Sequence, residues 1–295
     1  MRIVVIGGGI VGLSVAWAAA RSGAEVELIE RGRLGGVATP VSGAIVRCHY
    51  DNPAEAALAL EGLRALERFG EVVGGDAGFR ATGFVAIPDP AEVSSGVFAA
   101  RVGMLRGLGV ETEIVDAAAL KRMYPALTMD GVSSAAVEPR SGHADPALTT
   151  RSLAIAARRA GASLREGVGA RSLRTRGDRV VGVESAEGPL DGDAVVLACG
   201  AWSVPLAADA GVALPIRTTA AVIAAFARSG DEDLPAVIDV PNGVYFRSDG
   251  PRGSVVGRRD WADRPIVAPD GPLPAVSDAF WRDARARVPD GGRSG

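Results

Sequence analysis

Met1-Arg2-Ile3-Val4-Val5-Ile6-Gly7-Gly8-Gly9-Ile10-Val11-Gly12 opens the chain; an alanine-rich run to Ser22, a lone Gly23 and Glu25-Val26-Glu27-Leu28-Ile29-Glu30 follow. The first apolar run is short and β-branched, as a buried parallel strand should be. Gly7, Gly9 and Gly12 fit G-x-G-x-x-G where strand gives way to helix. In that pattern the first glycine makes the tight turn, the second admits a pyrophosphate to the backbone, and the third lets helix and strand pack closely. The amides at the helix start then face phosphate, aided by the helix dipole. Glu30 ends the second apolar strand, where a carboxylate can accept hydrogen bonds from a ribose. The spacing is therefore that of a dinucleotide-binding βαβ unit. Two other readings compete: a glycine-rich turn in some other βαβ unit, and a secretory signal peptide with Arg2 as its charged start and Ile10–Ala20 as its apolar core.

Outward from this unit, the totals set bounds. At 295 residues the chain has room for one large or two ordinary domains, and 47% hydrophobic residues supply a sizeable core. A net charge of −3 favours neither nucleic acid nor an anionic membrane. No apolar run reaches the about 18 residues of a membrane span. Cys48 and Cys199, His49 and His143 are the only residues of their kinds, which argues against a disulfide scaffold or a zinc site and for a reducing, cytoplasmic setting. No metal site is expected.

Along the chain, residues 31–46 read as a loop. Asn52, with Pro53 and Glu55, opens a helix whose apolar face is Ala59, Leu63 and Leu66 and which Gly70 can end. Phe84–Ile87 reads as a strand, Phe98, Val102 and Leu105 mark a helix, Ile114-Val115 is a short strand, and Asp116 caps a helix running to Tyr124. Asp145-Pro146 opens a helix to Ala160, with Arg151, Arg158 and Arg159 on a solvated face. A hairpin turns at Gly177-Asp178. The apolar strand Ala194–Ala198 ends in Cys199-Gly200-Ala201-Trp202-Ser203, a second small-residue turn at a strand's carboxyl end, where ligands collect in open α/β sheets. Ile216–Phe226 and Gly243–Gly257 read as further strands, and Phe280, Ala284 and Val288 as a last helix.

Five stretches together resemble the flavoprotein family that includes D-amino acid oxidase, glycine oxidase, sarcosine oxidase and dimethylglycine dehydrogenase. They are Gly7–Arg31, Ser42–Arg47 with Tyr50, Gly142-His143-Ala144-Asp145-Pro146, Asp193–Ser203 and Gly243-Val244-Tyr245-Phe246-Arg247. The resemblance implies an α/β fold: a Rossmann-like FAD-binding domain interleaved with an α+β substrate domain built on an antiparallel sheet. Residues 1–81 and 141–216 would form the first, 82–140 and 217–288 the second, with 289–295 as a flexible tail. It implies FAD as cofactor. Gly7, Gly9, Ile10, Val11 and Gly12 would hold the pyrophosphate, and Glu30 and Arg31 the ribose side. Thr39, Ser42, Gly43, Ala44 and Ile45 would lie along the flavin, with Val168, Ala198, Cys199, Gly200 and Trp202 near the adenosine and phosphates.

Arg47 matches a position that pairs with the substrate carboxylate in sarcosine-oxidase-like members; its planar fork suits that bidentate contact. Asp51 is the local acid with which it would otherwise pair. Tyr245 matches a substrate-facing position, and Arg247 of the same stretch is counted with the catalytic groups. Neither Cys48 nor His49 matches a covalent-attachment motif, so the flavin is expected to be held without a bond.

Two departures stand out. Members of the family return to the flavin domain with a C-terminal strand, glycine-rich loop and helix, a pattern not seen after Gly257. Lys121 is the only lysine, so a lysine beside the flavin has no counterpart, and Arg258 or Arg259 is the nearest substitute. The implied reaction is hydride transfer from a small amino or N-methylamino acid to flavin, with a partner chain or an electron-acceptor protein alongside. A truncated or partner-dependent, non-catalytic flavoprotein fragment is the rival from another class, and an NAD-dependent dehydrogenase the enzyme rival.

Overall fold

The computed structural model describes residues 1–228, 232–259 and 266–272; the helix expected around Phe280 to Val288 and the tail lie outside them. Arg2–Ile6 is a central strand of a four-stranded sheet. Ala194–Leu197 lies on one side of it, and Glu25–Glu30 then Ser163–Glu166 on the other, all parallel. Val4 and Val5 are both fully buried because this sheet is covered on both faces. On one face Ile10–Arg21 and Pro146–Arg159 pack through Leu13, Ala16, Leu153 and Ala157. The first helix therefore belongs to a folded βαβ unit, as the dinucleotide reading requires and the signal-peptide reading does not.

The other face meets a three-stranded meander, Ala170–Arg176, Arg179–Ser185 and Gly188–Asp191, through Val183 against Val4, Ile6 and Ile29. The hairpin at Gly177 is thus present, and a third strand extends it. The strand Ala194–Leu197 runs into a 3-10 turn, Gly200–Trp202, and the short helix Ser203–Asp209.

A second, seven-stranded sheet runs in the order Ile223–Ala227, Gly253–Arg258, Val244–Ser248, Ala236–Asp239, Phe84–Ile87, Ser134–Glu138, Glu113–Asp116. It departs at one pairing from the antiparallel sheet that the resemblance implies. Ala236–Asp239 and Phe84–Ile87 pair in parallel. A parallel neighbour needs a crossover, and the long passage through the other sheet system supplies it. One face, with Val85, Ile87, Val237, Phe246 and Val256, packs on Leu120 and Leu127. The opposite face carries Phe84, Ala86 and Ala236, covered by Phe98 and Val102 of Val97–Gly107 and reached by Ile45.

Local chemistry explains the helix starts. Asn52 accepts from the Ala54 N–H at 2.8 Å, Asp116 from Ala119 at 2.7 Å, and Asp145 from Ala147 at 2.8 Å and Leu148 at 2.9 Å. Three details differ from the pattern-based expectation. The buried face of Pro53–Glu67 is Ala56, Leu60 and Leu63, one step round from the expected stripe, and Gly70 falls inside a further short helix, Phe69–Val72. Ile45–Val46 is a short strand paired with Gly142–His143 rather than loop. The expected strand from Ile216 forms only at Ile223–Ala227, and Ile216 lies instead on the wall of a cavity.

Candidate functional site

A cavity of about 920 Å³ opens at the carboxyl ends of the parallel strands. This is the edge at which open α/β sheets bind ligands. Gly7, Gly9, Ile10 and Val11 line it where the first strand ends. Glu30 and Arg31 line it where the second ends, and Ala198, Cys199, Gly200 and Trp202 where Ala194–Leu197 ends. Val168 and, from the 31–46 loop, Thr39, Ser42, Ala44 and Ile45 complete the expected set.

Gly7 has φ +110, and a Cβ there would stand 2.5 Å from the Ala198 carbonyl oxygen, so only glycine fits. Gly12 does not face the cavity. A Cβ on it would run into the Gly7 carbonyl oxygen, so its work is close packing of helix on turn. The Ile10 N–H at the helix start donates to Thr39 Oγ1 at 3.2 Å, and the Gly9 cap supplies no side chain.

Glu30 is held from both sides: Oε2 accepts from the Gly8 N–H at 2.7 Å and Oε1 from the Gly32 N–H at 2.8 Å. A carboxylate has about four acceptor sites, so lone pairs remain for a ligand. The Arg31 guanidinium lies 4.1 Å over the Trp202 ring, and Asp270 accepts from both, from Arg31 at 2.9 Å and from Trp202 Nε1 at 2.8 Å. These contacts hold the Asp270 carboxyl below its ordinary pKa, Arg31 first.

Ala44 is the one non-glycine residue with positive φ among the described residues, at +48. Such backbone persists only where its surroundings over-determine it. Here they do. The Ala44 carbonyl accepts from the Ala144 N–H at 3.0 Å, and the carbonyl of the preceding Gly43 accepts from Arg247 Nε at 2.6 Å. Gly43 itself lies beside the Tyr245 ring rather than in the cavity wall.

The three residues read as substrate-facing or catalytic stand outside the cavity, at the junction with the seven-stranded sheet. Arg47 is half-buried, 4.0 Å over the Tyr50 ring and 5.9 Å from Phe84, and donates to the His49 carbonyl oxygen. It does not pair with Asp51, which Arg101 takes, together with Glu92 at 2.9 Å. Tyr245 is wedged between Gly43 and Gly257; a Cβ at Gly257 would fall 2.7 Å from its Cε1. Arg247 is buried and committed to the protein. Besides Gly43 it donates to the Ser248 carbonyl oxygen at 2.6 Å and to Asp249 at 3.0 Å. It pins the 42–46 loop to the sheet.

Burial first, then Arg101 and Arg47, lowers His49 to about 3. Cys48 is fully buried, and burial first, then Glu138, pushes its thiol to about 12.

Sequence reading missed the middle of the loop, Gly35 to Ala38, and Gly169, Ala170, Arg171, Pro205, Leu206 and Ile216, all of which line the cavity. The loop residues adjoin expected ones and could have been included on that ground. Pro205 and Leu206 sit on the helix after the 199–203 turn, and nothing in their spacing marks them.

The family model described as FAD dependent oxidoreductase matches residues 2–294. The chain is 32% identical over 259 residues to 4-methylaminobutanoate oxidase (formaldehyde-forming) of Paenarthrobacter nicotinovorans, covering 85% of this chain and 31% of that protein. It is 25% identical to mitochondrial dimethylglycine dehydrogenase of Homo sapiens, covering 83% and 29%. The chain thus spans under a third of the length of these curated relatives. Among solved structures, L-proline dehydrogenase from P. horikoshii superposes with a TM-score of 0.84 at 25% identity, covering 96% of this chain and 75% of that one. The chain belongs to the family of FAD dependent oxidoreductases.

Proposed function

We propose that this chain binds FAD in the 920 Å³ cavity and takes part in oxidising the C–N bond of a small amino or N-methylamino acid. FAD is the cofactor of its family. The observation that carries the reading is the glycine cradle facing a fixed carboxylate: a Cβ on Gly7 would fill the turn, while Glu30, held on the Gly8 and Gly32 amides, keeps acceptors for a ribose. A cavity near 900 Å³ lies at the upper end of the range for small-molecule and cofactor sites.

When bound, FAD supplies the hydride-accepting chemistry; the protein supplies binding, orientation and electrostatics. In this reading Gly7, Gly9, Ile10 and Val11 receive the pyrophosphate at the helix start. Arg31 and Trp202 border the adenosine side, and Thr39, Ser42, Ala44 and Ile45 the ring side. Arg47, over the aromatic floor of Tyr50 and Phe84 and without an ion pair among the described residues, is placed to hold a carboxylate. Tyr245 shapes the substrate side. Arg247 is a positioning residue, since its donors are used on Gly43, Ser248 and Asp249.

The division into 1–81 with 141–216 and 82–140 with 217–288 is supported, among the described residues, by strand membership. All four parallel strands fall in the first set and the seven of the mixed sheet in the second. Two free cysteines, one fully buried, support a reducing, cytoplasmic setting. No helix among the described residues is long and apolar enough to cross a membrane. Electrons taken from the amine must leave, so an acceptor, oxygen or a partner protein, completes the cycle.

The test is the visible spectrum of the purified protein supplied with FAD, followed by anaerobic addition of N-methylglycine, 4-methylaminobutanoate, proline and glycine. A flavin band that bleaches with at least one amine is the expected result. Absence of bound flavin, or a bound flavin that none of these amines bleaches, overturns the reading.

A further inference from the structure

Glu138 ends the strand Ser134–Glu138 and is 1% exposed. It pairs with Phe84 across the sheet, so its side chain shares the face that carries Phe84. Arg47 lies on that ring, 5.9 Å from its centre, and Cys48, the next residue, donates its N–H to Glu138 Oε2 at 2.8 Å. The Ser141 hydroxyl donates to the same oxygen at 2.7 Å. One carboxyl oxygen thus receives two hydrogen bonds and fixes the backbone on which Arg47 is mounted.

The other oxygen, Oε1, is buried and has no hydrogen-bond partner among the described residues. Glu113 pairs with Val137, and the next step of that ladder sets Thr112 opposite Glu138. Thr112 Oγ1 is buried and without a hydrogen-bond partner as well. A hydroxyl can donate to a carboxylate or accept from a carboxylic acid, so this neighbour suits Glu138 in either state. Supporting the backbone takes only one oxygen. A second oxygen left open beside such a hydroxyl suits a group that gains and loses a proton.

Opposed influences meet at Glu138. Burial, the largest, raises its pKa, while the Cys48 N–H, the Ser141 hydroxyl and then Arg47 favour the carboxylate. The other charges around this face are committed. Arg101 pairs with Asp51 and Glu92, Arg140 with Glu67, and Arg247 with Asp249. Arg259, lowered by burial first and by Arg47 next, keeps its proton as arginines do. Arg47 is the charged side chain that acts on Glu138, and a ligand docked on Arg47 offsets that action.

We propose that Glu138 is a positioning residue for Arg47 that takes up a proton from solvent when a carboxylate docks on Arg47. The proton adds to Oε1, and Oε2 keeps Cys48 and Ser141. This rests on Arg47 holding a carboxylate, as in the proposed amine-oxidising function. Ionised Glu138 answers the charge of Arg47 while the site is empty, and the ligand's carboxylate answers it once the site is filled. By linkage, docking tightens as pH falls through the folded pKa of Glu138.

The test uses the FAD-loaded protein and methoxyacetate, a carboxylate with the outline of N-methylglycine and no amine to titrate. Binding heats in two buffers of different ionisation enthalpy count the protons taken up, between about pH 5.5 and about pH 8.5. In that window His49, lowered to about 3, and His143, lowered to about 4, are neutral, and Cys48, raised to about 12, stays a thiol. The parent is expected to take up a fraction of a proton that peaks within the window. It should bind methoxyacetate about tenfold more tightly at the acid end than at the alkaline end, the equivalent of one pKa unit. Glu138→Gln keeps an acceptor for the Cys48 N–H but cannot titrate. It should take up no proton and bind at every pH as the parent does at the acid end. Ser141→Ala removes one donor from the carboxylate, so its uptake should peak at a higher pH than the parent's. The uncharged 2-methoxyacetamide should cause no uptake in any of the three proteins.

No uptake in the parent, or uptake that persists in Glu138→Gln, overturns the proposal, and flavin bleaching by amines then leaves the oxidising function standing. Should Glu138→Gln not fold, Ser141→Ala decides, and a peak that stays at the parent's pH is equally fatal. A parent whose flavin is bleached by amines but which does not bind methoxyacetate overturns the proposal alone. A parent that binds neither methoxyacetate nor any amine removes the proposal and the function together.

Discussion

Cys48 and His49 adjoin the cofactor loop, and their surroundings decide what they can do. A thiolate is the nucleophilic form of cysteine, and a fully buried thiol raised to about 12 does not supply one at neutral pH. Flavin bound to this chain is therefore expected to be released by acid precipitation, leaving a colourless pellet; a yellow pellet would show a covalent bond. His143 is a second buried imidazole, lowered to about 4 by burial first and by Arg247 and Arg80 next. Unfolded histidine titrates near 6.5. Between about pH 4 and about pH 6.5 the unfolded chain then binds a proton that the folded chain does not, so stability rises with pH through that window and is lost as pH falls. His143→Gln should reduce the slope of unfolding free energy against pH between 4 and 6.5, leaving the part that His49, lowered to about 3, contributes over the same window. Identical slopes in the variant and the parent would show that His143 is protonated in the folded state.

At the scale of the element, the 42–46 loop joins the two sheet systems. Its strand Ile45–Val46 has only Gly142–His143 as partner, and Ala44 is held at positive φ. Such a segment gains little from its own ladder. Arg247, reaching from Val244–Ser248 to the Gly43 carbonyl, supplies what the ladder lacks. Arg247→Met should destabilise the fold by about 1.5–3 kcal/mol, the worth of hydrogen bonds to a charged group, measured by urea denaturation. It should also speed the release of bound FAD, followed by fluorescence. A variant with the parent's midpoint and release rate would show that the loop holds itself.

At the scale of the whole molecule, cofactor and fold are linked. A ligand that binds only the folded state at 100 times its dissociation constant stabilises that state by about 2.7 kcal/mol. FAD should raise the thermal midpoint of the parent accordingly. Glu30→Gln keeps one acceptor toward the Gly8 or Gly32 amide but loses the charge and the second acceptor. Most of the FAD-dependent increment should vanish, on top of a fall of about 1 kcal/mol in stability without FAD from the one amide that loses its acceptor. An undiminished increment would remove Glu30 from the ribose role. An equal loss of midpoint with and without FAD would make Glu30 a support of the turn alone.

The stretch from Met1 to Glu30 was legible because every signal in it is local. A β-branched run, three glycines at fixed offsets, an alanine-rich helix and a second apolar run each follow from short-range geometry. The helix starts at Asn52, Asp116 and Asp145 were legible for the same reason, since a cap bonds two or three residues ahead. Only the tertiary structure decided the rest. That Ala236–Asp239 lies parallel to Phe84–Ile87, that Arg247 is spent on Gly43, and that Arg101 takes Asp51 from Arg47 are all matters of partnership. Each partnership joins segments far apart in the chain. Spacing along a sequence states which groups a segment offers, whereas strand register and packing state which groups they meet.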